Sequence, residues 1–403
     1  AMGKKGRVPT WKIAALVSGM LFTGTLNTLT TKIQFSQFSV GLNGKVKQFQ
    51  KPWFGTFNMM GAMALVGITD LISRKCCSPT AANGAEPLID QTPRAGGGPS
   101  YTAKVMMVAL PAIFDLLATG LCCYGMLYIP ASVWQMLRGS SIVFAAILSI
   151  LFLKRKMLGF NWLGLFLCVC GVSLVGVANV LGTQDDPGSD QSNMVLGMGM
   201  VVLGQVVQAA QVIAEEFLMK DLNLPAMQVI GLEGYWGVLC MVAVVYPLLM
   251  VMPGTDEGHA EDPFDTWVMI RNNSHLAITV LLYLVSCGTY NATGIAVTGA
   301  LSGVHRMMLD ASRTMVIWAF GLSVHYFYDP NSLYGEVWTQ YSPLQLVGFV
   351  VIVTGQAIYG EVLKVPGIHY PPLTPGPSMD ASMFASPGAA TMLCSPLPPL
   401  REG

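Results

Sequence analysis

Three ionisable residues fall inside long apolar stretches of this chain, where a charge is costly. Arg138 lies in the run from Ala131 to Leu153, and Asp310 and Arg313 lie in a related stretch that begins 172 residues after the first. A charged side chain in the hydrocarbon core costs roughly 2.5–3.5 kcal/mol on insertion scales, so it usually faces a polar interior and has a partner. This pattern favours the passage of a polar or anionic solute, with Asp310 holding one arginine while another meets the solute.

Two structural interpretations compete with solute binding. Arg138 and Asp310 can form a permanent ion pair that locks two halves of the protein together. Alternatively, Arg306, Asp310 and Arg313 fall at i, i+4 and i+7 on one helix face, with the aspartate between two arginines, and can be buried together for structural reasons. The residue pattern leaves these alternatives open.

Other polar residues within apolar stretches are also candidates for the translocation path. Asp115 is an isolated mid-span carboxylate, suited either to proton coupling or to an ion pair with Arg138. Glu233, within the sequence GLEG, is a candidate for a gate or a site. Glu216 lies four residues before Lys220, so a solvated ion pair is expected there. The remaining candidates for lining a cavity are Gln135, Asn27 and Tyr290.

The composition is that of a polytopic membrane protein. Apolar residues make up 53% of the 403 and charged residues only 11%, against about 25% charged in a typical soluble domain. A net charge of zero gives no electrostatic basis for binding nucleic acid. Apolar runs long enough to cross about 30 Å of hydrocarbon begin at ten positions. They begin near Trp11, Trp53, Lys104, Ala131, Phe160, Met194, Gln228, Leu276, Gly303 and Pro343. We therefore predict an all-α protein with ten transmembrane helices.

Basic residues are distributed unevenly between the predicted loops. With a cytoplasmic N-terminus, fourteen lysines and arginines lie on the cytoplasmic side and five on the opposite side, as the positive-inside rule expects. Both termini are therefore predicted to be cytoplasmic. The segment from Gln34 to Pro52, on the opposite side, is expected either to lie along the membrane interface or to form an ordinary loop. Asn272, in the sequon Asn272-Asn273-Ser274 on the same side, is a candidate glycosylation site.

An internal repeat is indicated by glycine spacing. Three glycines of the fifth predicted helix are matched 184 residues later in the tenth: Gly164 with Gly348, Gly171 with Gly355, and Gly176 with Gly360. Glycines at i and i+7 share a helix face and suit close helix contact. Because five helices per copy is an odd number, the second copy is inverted. This predicts a 5+5 inverted-topology repeat with its site near the bilayer midplane.

The repeat divides the chain into two halves and a tail. The first five-helix repeat spans 11–182 and contains a flexible cytoplasmic linker at 78–100, rich in Gly, Pro and Ala. The second repeat spans 183–365. The proline-rich segment 366–403 is expected to be a disordered cytoplasmic tail with weak protein contacts.

Several of these motifs resemble the drug/metabolite transporter superfamily, specifically the F-type branch of solute carrier family 35. They are GTLNTLTTK (24–32), QMLRG (135–139), AEEF (214–217), GLEGYWG (231–237) and TGIAVTGALSGVHRMMLDASRTMVIWAF (293–320). The resemblance implies a ten-helix inverted repeat and an alternating-access carrier of endomembranes. That group includes nucleotide-sugar antiporters. The chain is also distantly similar to chloroquine-resistance-type transporters, although it lacks their cysteines between Pro253 and His275.

We therefore predict a secondary active transporter of small polar or anionic organic solutes in an endomembrane, with lysosome, vacuole and Golgi left open. The alternative is a membrane scaffold or adaptor that kept the carrier fold but moves nothing. Motifs for an enzyme, such as HExxH, GxSxG or a phosphate-binding loop, are absent from the sequence. We predict no cofactor and no metal. The expected partners are a small-molecule solute and membrane lipid, with a homodimer left open.

Overall fold

The computed structural model describes residues 10–76, 100–126, 128, 137–182, 191–222, 224–256, 258–328 and 337–366. Gln135, nearly all of the predicted linker and all but the first residue of the predicted tail lie outside these ranges. All structural statements below concern the described residues.

Long helices make up most of the described chain. The first half contains α1 (Thr10–Ser36), α2 (Pro52–Cys76), α3 (Tyr101–Met107), α4 (Ala109–Met126), α5 (Ser141–Leu153) and α6 (Gly159–Gly182). The second half contains α7 (Gln191–Lys220), α8 (Ala226–Cys240), α9 (Tyr246–Val251), α10 (Pro263–Asn272), α11 (Ser274–Ala300), α12 (Gly303–Ser323) and α13 (Ser342–Tyr359). A π-helical turn, Met241–Val245, joins α8 to α9, and a second one, Val324–Tyr328, follows α12.

Eight helical segments in the described residues are long and apolar enough to cross a membrane. They are Trp11–Ser36, Pro52–Ser73, Thr102–Gly125, Gly159–Ala178, Val195–Lys220, Ala226–Val251, Ser274–Ala300 and Ser342–Tyr359. Of the two other predicted spans, α5 is apolar but has only 13 residues, or roughly 20 Å of helix. Helix α12 has 21 residues but carries three charged side chains, Arg306, Asp310 and Arg313. The all-α membrane fold is thus present, and the count of ten spans stays a prediction.

The most extensive helix–helix contacts join four pairs of helices: α6 with α13, α4 with α7, α1 with α11, and α2 with α8. Glycine makes these contacts close. A Cβ atom added to Gly355 would lie 2.7 Å from the carbonyl oxygen of Gly164, and one added to Gly171 would lie 2.7 Å from that of Gly348. Between α2 and α8, a Cβ on Gly231 would lie 2.5 Å from the Cα of Gly67. Side chains cannot be accommodated at these crossings, so the backbones themselves are in contact.

The segment between α1 and α2 forms a β-hairpin, and its position along the membrane interface stays a prediction. Strands β1 (Phe38–Val40) and β2 (Val46–Gln48) pair antiparallel, with Ser39 opposite Lys47. A third short strand, β3 (Pro253–Asp256), follows α9. The hairpin lies against α10, where the hydroxyl of Ser39 donates to the carbonyl of Met269 at 2.6 Å. The amide of Asn272 donates to the carbonyl of Val40 at 3.0 Å, and use of Asn272 as a glycosylation site stays a prediction.

Candidate functional site

Asp310 lies at the centre of a small polar site that we call the Asp310 site: Tyr290, Asp310 and Arg313. The hydroxyl of Tyr290 on α11 donates to Asp310 Oδ1 at 2.5 Å, and Arg313 Nη1 lies 3.2 Å from the same oxygen. The guanidinium of Arg313 also lies 5.1 Å from the centre of the Tyr290 ring, a cation–π geometry. Gly24 of α1 packs directly on Arg313 and Tyr290, because a Cβ there would lie 2.9 Å from each. Helices α1, α11 and α12 thus converge on this site.

The depth of this site is set by the way α12 begins. Ser302 caps the helix by accepting a hydrogen bond from the backbone N–H of His305 at 3.3 Å. The N–H of Gly303 donates to Glu216 at 2.8 Å, so the first turn of α12 is fixed against α7. At 1.5 Å per residue, Asp310 then lies about 10 Å along the helix from Gly303. Asp310 thus lies about two turns into α12, and its side chain is partly buried.

A second group of polar side chains lies between α4, α7, α8 and α12, and we call it the Glu233 network. Its members are Asp115, Gln211, Glu215, Glu233 and Arg306. The guanidinium of Arg306 donates to Glu215 at 2.5 Å. The amide nitrogen of Gln211 donates to Glu215 at 3.1 Å and to Glu233 at 2.9 Å. Among the described residues, Arg306 pairs with Glu215 on a neighbouring helix, whereas Arg313 pairs with Asp310.

The other predicted site residues are placed as follows. Asp115 is buried on α4, where the charges of Glu215 and Arg306 act on it. Arg138 is exposed just before α5, and its charge acts on Asp310. Asn27 on α1 accepts a hydrogen bond from the hydroxyl of Ser286 on α11 at 3.4 Å. Gln135 lies outside the described residues.

One end of the bundle is held together by the Arg155 cluster: Arg155, Glu216, Lys220 and Gly303. Glu216 is completely buried and accepts from Arg155 at 2.7 Å, from Lys220 at 2.8 Å and from the N–H of Gly303. The expected i,i+4 pair with Lys220 is present, but the expectation that it is solvated was wrong. An open cavity of about 560 Å³ lies beside this cluster, and its lining includes Arg155, His305 and Tyr359.

The opposite end carries the Lys51 cluster: Lys47, Lys51, Asp256 and Asp265. The ammonium of Lys51, only 3% exposed, contacts Asp256 and lies 2.7 Å from Asp265. Lys47 lies 2.9 Å from each of the same two aspartates. Burial alone would raise the pKa of both carboxyl groups, but the hydrogen bonds from Lys51 and Lys47 hold both pKa values below their usual range. This cluster joins the hairpin end of the first half to the loop after α9.

Glu261 lies next to the Lys51 cluster and caps the beginning of α2. It accepts hydrogen bonds from the backbone N–H groups of Trp53 at 2.9 Å and Phe54 at 2.7 Å. Burial raises the pKa of Glu261 to about 7, although these two bonds and the charge of Lys51 act to lower it. The fold therefore favours the protonated carboxyl group.

This raised pKa predicts a pH-dependent stability. A carboxyl group whose pKa is about 7 when folded, against an ordinary value of 4.5, contributes stability that is fully present below the lower value and is lost as pH rises through the upper one. The slope in the middle of this range is up to about 1.4 kcal/mol per pH unit. We expect the thermal unfolding midpoint in detergent to fall between about pH 5 and pH 7, and Glu261→Gln to flatten that fall.

The two aspartates of the Lys51 cluster do not obscure this test. Their pKa values are lowered, so their contribution is lost only as pH falls below the ordinary value of 3.8. Asp221→Asn, at an exposed position, is the matched control and should keep the wild-type slope. An unchanged slope in Glu261→Gln would contradict the assignment.

The polar members of α7 were the main omission from the sequence-based site. Gln208, Gln211 and Glu215 occur at i, i+3 and i+7, so they share one face of an otherwise apolar helix. In the structure Gln208 donates to the amide oxygen of Gln211 at 2.5 Å, which extends the Glu233 network by one residue. A polar stripe of this kind within a membrane-length helix was the available signal.

Comparison with known proteins places this chain in a family. The SLC35F family model, described as solute carrier family 35, matches residues 103–250. Solute carrier family 35 member F6 of Rattus norvegicus is 28% identical over 358 residues, which cover 87% of this chain and 88% of that protein. The Homo sapiens protein of the same name has the same identity and coverage. The chain belongs to the F branch of solute carrier family 35. The family resemblance of its motifs is thereby confirmed.

This solute carrier family 35 protein is also similar to a protein with no described activity and to a solved structure. Uncharacterized protein C12G12.12 of Schizosaccharomyces pombe is 31% identical over 280 residues, 67% of this chain and 80% of that one. A crystal structure with 12% identity matches with a TM-score of 0.53, covering 89% of this chain and 98% of the other, which supports the fold alone. As a family member with apolar helices of membrane length, the chain is an integral multi-pass protein of endomembranes. Members of solute carrier family 35 are transporters and not enzymes.

Proposed function

We propose that this protein is a secondary active transporter that moves small polar or anionic organic solutes across an endomembrane by alternating access. The observation that carries the proposal is the pair of polar groups within the helix bundle, the Asp310 site and the Glu233 network. Charges at this depth are expensive to keep in a membrane protein and usually mark a solute or ion pathway. Both groups lie where helices of the two halves of the chain meet.

The helix pairing supports an inverted repeat of residues 11–182 and 183–365. An inverted repeat relates each of the first five predicted spans to the span five places later. It therefore exchanges α2 with α8 and α6 with α13, so each of these two pairs is turned into itself. It also exchanges α1 with α7 and α4 with α11, so the pair α4–α7 is turned into the pair α1–α11. These are the four most extensive pairings. The glycine contacts show the same exchange, because Gly164 lies against Gly355 while Gly171 lies against Gly348. Reciprocal contacts of this kind are those that a pseudo-two-fold axis generates.

The two ionic clusters provide the gates that alternating access requires. The Arg155 cluster joins α7 and α12 at one end, and the Lys51 cluster joins the hairpin to the loop after α9 at the other. Opening one end while the other stays closed needs only one cluster to separate at a time. The basic residues of Lys154 to Lys156 favour the cytoplasm for the Arg155 end, which makes both termini cytoplasmic.

The charge at the Asp310 site favours an anionic group on the solute. Two arginine charges, those of Arg313 and Arg138, act most strongly on the single carboxylate of Asp310. An arginine suits a carboxylate or phosphate oxygen in bidentate geometry, so either of these arginines can meet an anionic group of the solute.

Reconstituted transport tests the proposal. Purified protein in liposomes should take up at least one member of a panel of labelled nucleotide sugars, nucleotides and amino acids with saturable kinetics. We expect Asp310→Asn to reduce that uptake at least tenfold, because the only carboxylate of the Asp310 site is lost, and Asp221→Asn to leave it unchanged. If no solute is moved and none raises the unfolding midpoint, the transporter proposal fails and the scaffold alternative gains support.

A further inference from the structure

Glu233 is held in the interior by the closest backbone contact between α2 and α8. It lies between Gly231 and Gly234, and a Cβ on Gly234 would overlap the backbone nitrogen of Ala64 on α2. This contact leaves α8 no room to rotate. The Glu233 side chain is only 1% exposed and is directed towards Gln211 on α7.

Hydrogen bonding does not satisfy an ionised Glu233. Its Oε1 accepts from the amide of Gln211, but its Oε2 is buried and has no hydrogen-bond partner among the described residues. Gln211 cannot donate a second hydrogen bond to Glu233, because its amide nitrogen already donates to Glu215 and Glu233. Its oxygen accepts from Gln208. A buried carboxylate with one free oxygen pays a large desolvation cost, whereas a neutral carboxyl group pays much less.

Charge counting within the Glu233 network gives the same result. Three carboxyl groups, those of Asp115, Glu215 and Glu233, act on one another, and Arg306 is the cation that acts on all three. Arg306 is committed to Glu215 at 2.5 Å. Full ionisation would leave two uncompensated negative charges in the network.

The groups that face the network from α11 do not supply that compensation. On α11, Tyr283 and Cys287 interact with Asp115, and Tyr290 interacts with Arg306. Tyrosine and cysteine are neutral or negative, so neither type of side chain can neutralise a carboxylate.

We infer that the carboxyl group of Glu233 is a proton-binding site, and that its proton is the coupling ion of the transporter. The coupling role rests on the proposed function, whereas the bound proton rests on the geometry alone. In one state the Glu233 carboxyl group is neutral. On opening to the other side of the membrane, the O–H bond breaks, water takes the proton and the carboxylate remains.

The released state has a direct route to helix movement. An ionised Glu233 needs a positive partner, and Arg306 is the cation already acting on it. A shift of Arg306 from Glu215 towards Glu233 would draw the first turn of α12 away from α7. That turn is also held by Glu216, the residue after Glu215, through the N–H of Gly303. Loss of the proton from Glu233 would thus loosen the Arg155 cluster.

Infrared spectroscopy of the full-length protein tests the bound proton without any solute. A protonated carboxyl group has a carbonyl stretch distinct from that of a carboxylate. Because Glu261 also favours its protonated form, the measurement is made in the Glu261→Gln background. At neutral pH we expect a band there, a loss of intensity when Glu233→Gln is added, and no loss when Asp221→Asn is added. Glu233→Asp, which keeps a carboxyl group, should shift that component and serves if the glutamine variant does not fold. An undiminished band after the addition of Glu233→Gln overturns the inference.

Uptake into liposomes then tests coupling, with the solute found in the transport assay. With one proton carried per singly charged anionic solute, transport is electroneutral, and a gradient of about one pH unit should give roughly tenfold accumulation. A protonophore should abolish that accumulation. Glu233→Gln should lose accumulation but keep exchange of labelled for unlabelled solute. Wild-type transport that is indifferent to the pH gradient, or driven by sodium, overturns the coupling role while transport itself stands. If no solute moves, the proposed function fails and the coupling role fails with it, while the infrared result still decides the bound proton.

Discussion

Replacing Glu216 with alanine is expected to lower the free energy of unfolding by about 3–5 kcal/mol, the usual cost of removing one partner from a buried ion pair. The effect should fall at the high end, because Glu216 is fully buried and serves three donors at once. Its loss removes the acceptor of Arg155 and of the N–H of Gly303, and leaves Lys220 with the carbonyl of Leu301 but no carboxylate. The first turn of α12 loses its attachment to α7 as well.

Thermal unfolding in detergent measures this effect, and neighbouring residues provide controls. Asp221→Ala removes an exposed carboxylate five residues further along the chain and should change stability by less than about 0.5 kcal/mol. Glu216→Gln keeps the side-chain volume and one acceptor oxygen, so it should fall between the two. Equal stability of Glu216→Ala and Asp221→Ala would show that the Arg155 cluster does not hold this end closed.

Adding a single methyl group at Gly355 is expected to destabilise the bundle by about 1–3 kcal/mol, and leucine at the same position by more. The new Cβ would lie 2.7 Å from the carbonyl oxygen of Gly164 and 2.8 Å from the backbone nitrogen of Cys168. Both are backbone atoms, so no side-chain rotation relieves the clash. Helices α6 and α13 would have to separate along their length.

Glycine positions elsewhere in the bundle make this a controlled experiment. Gly199 lies on the exposed face of α7, and a Cβ added there would have no neighbouring atom of the described residues within 4 Å. Alanine there should stabilise the protein by about 0.4–1 kcal/mol through the unfolded state. Gly171→Ala and Gly348→Ala should lower the free energy of unfolding by similar amounts, because the two residues lie against each other. A stabilising Gly355→Ala would contradict the close packing of α6 on α13.

The close helix contacts were accessible from sequence because glycine spacing carries them directly. Two glycines lie seven residues apart in each of two apolar helices: Gly164 and Gly171 in α6, and Gly348 and Gly355 in α13. The structure brings Gly164 against Gly355 and Gly171 against Gly348. The charged residues of α12 were likewise visible, because an ionisable side chain stands out in an apolar run.

The partners of those charged residues were not accessible, since they come from distant parts of the chain. Arg306 pairs with Glu215, 91 residues earlier, and Glu216 binds Arg155, 61 residues earlier. Spacing along α7 indicates only one partner for Glu216, its i,i+4 neighbour Lys220. The prediction of a solvated pair was based on that spacing alone, and it was wrong because Glu216 is buried. Burial depends on which helices surround a residue, and spacing along one helix does not report it.

The Lys51 cluster also constrains the order in which the protein can be completed during synthesis. Lys51 precedes its partners Asp256 and Asp265 by 205 and 214 residues. At 5–20 residues per second, a ribosome needs roughly 10–40 s to supply them. During that interval the hairpin and Lys51 have been synthesised, but the two aspartates that neutralise the lysine have not. Maturation of this end is therefore a late step, and a nascent chain released before the loop after α9 would carry an unneutralised lysine that quality control could recognise.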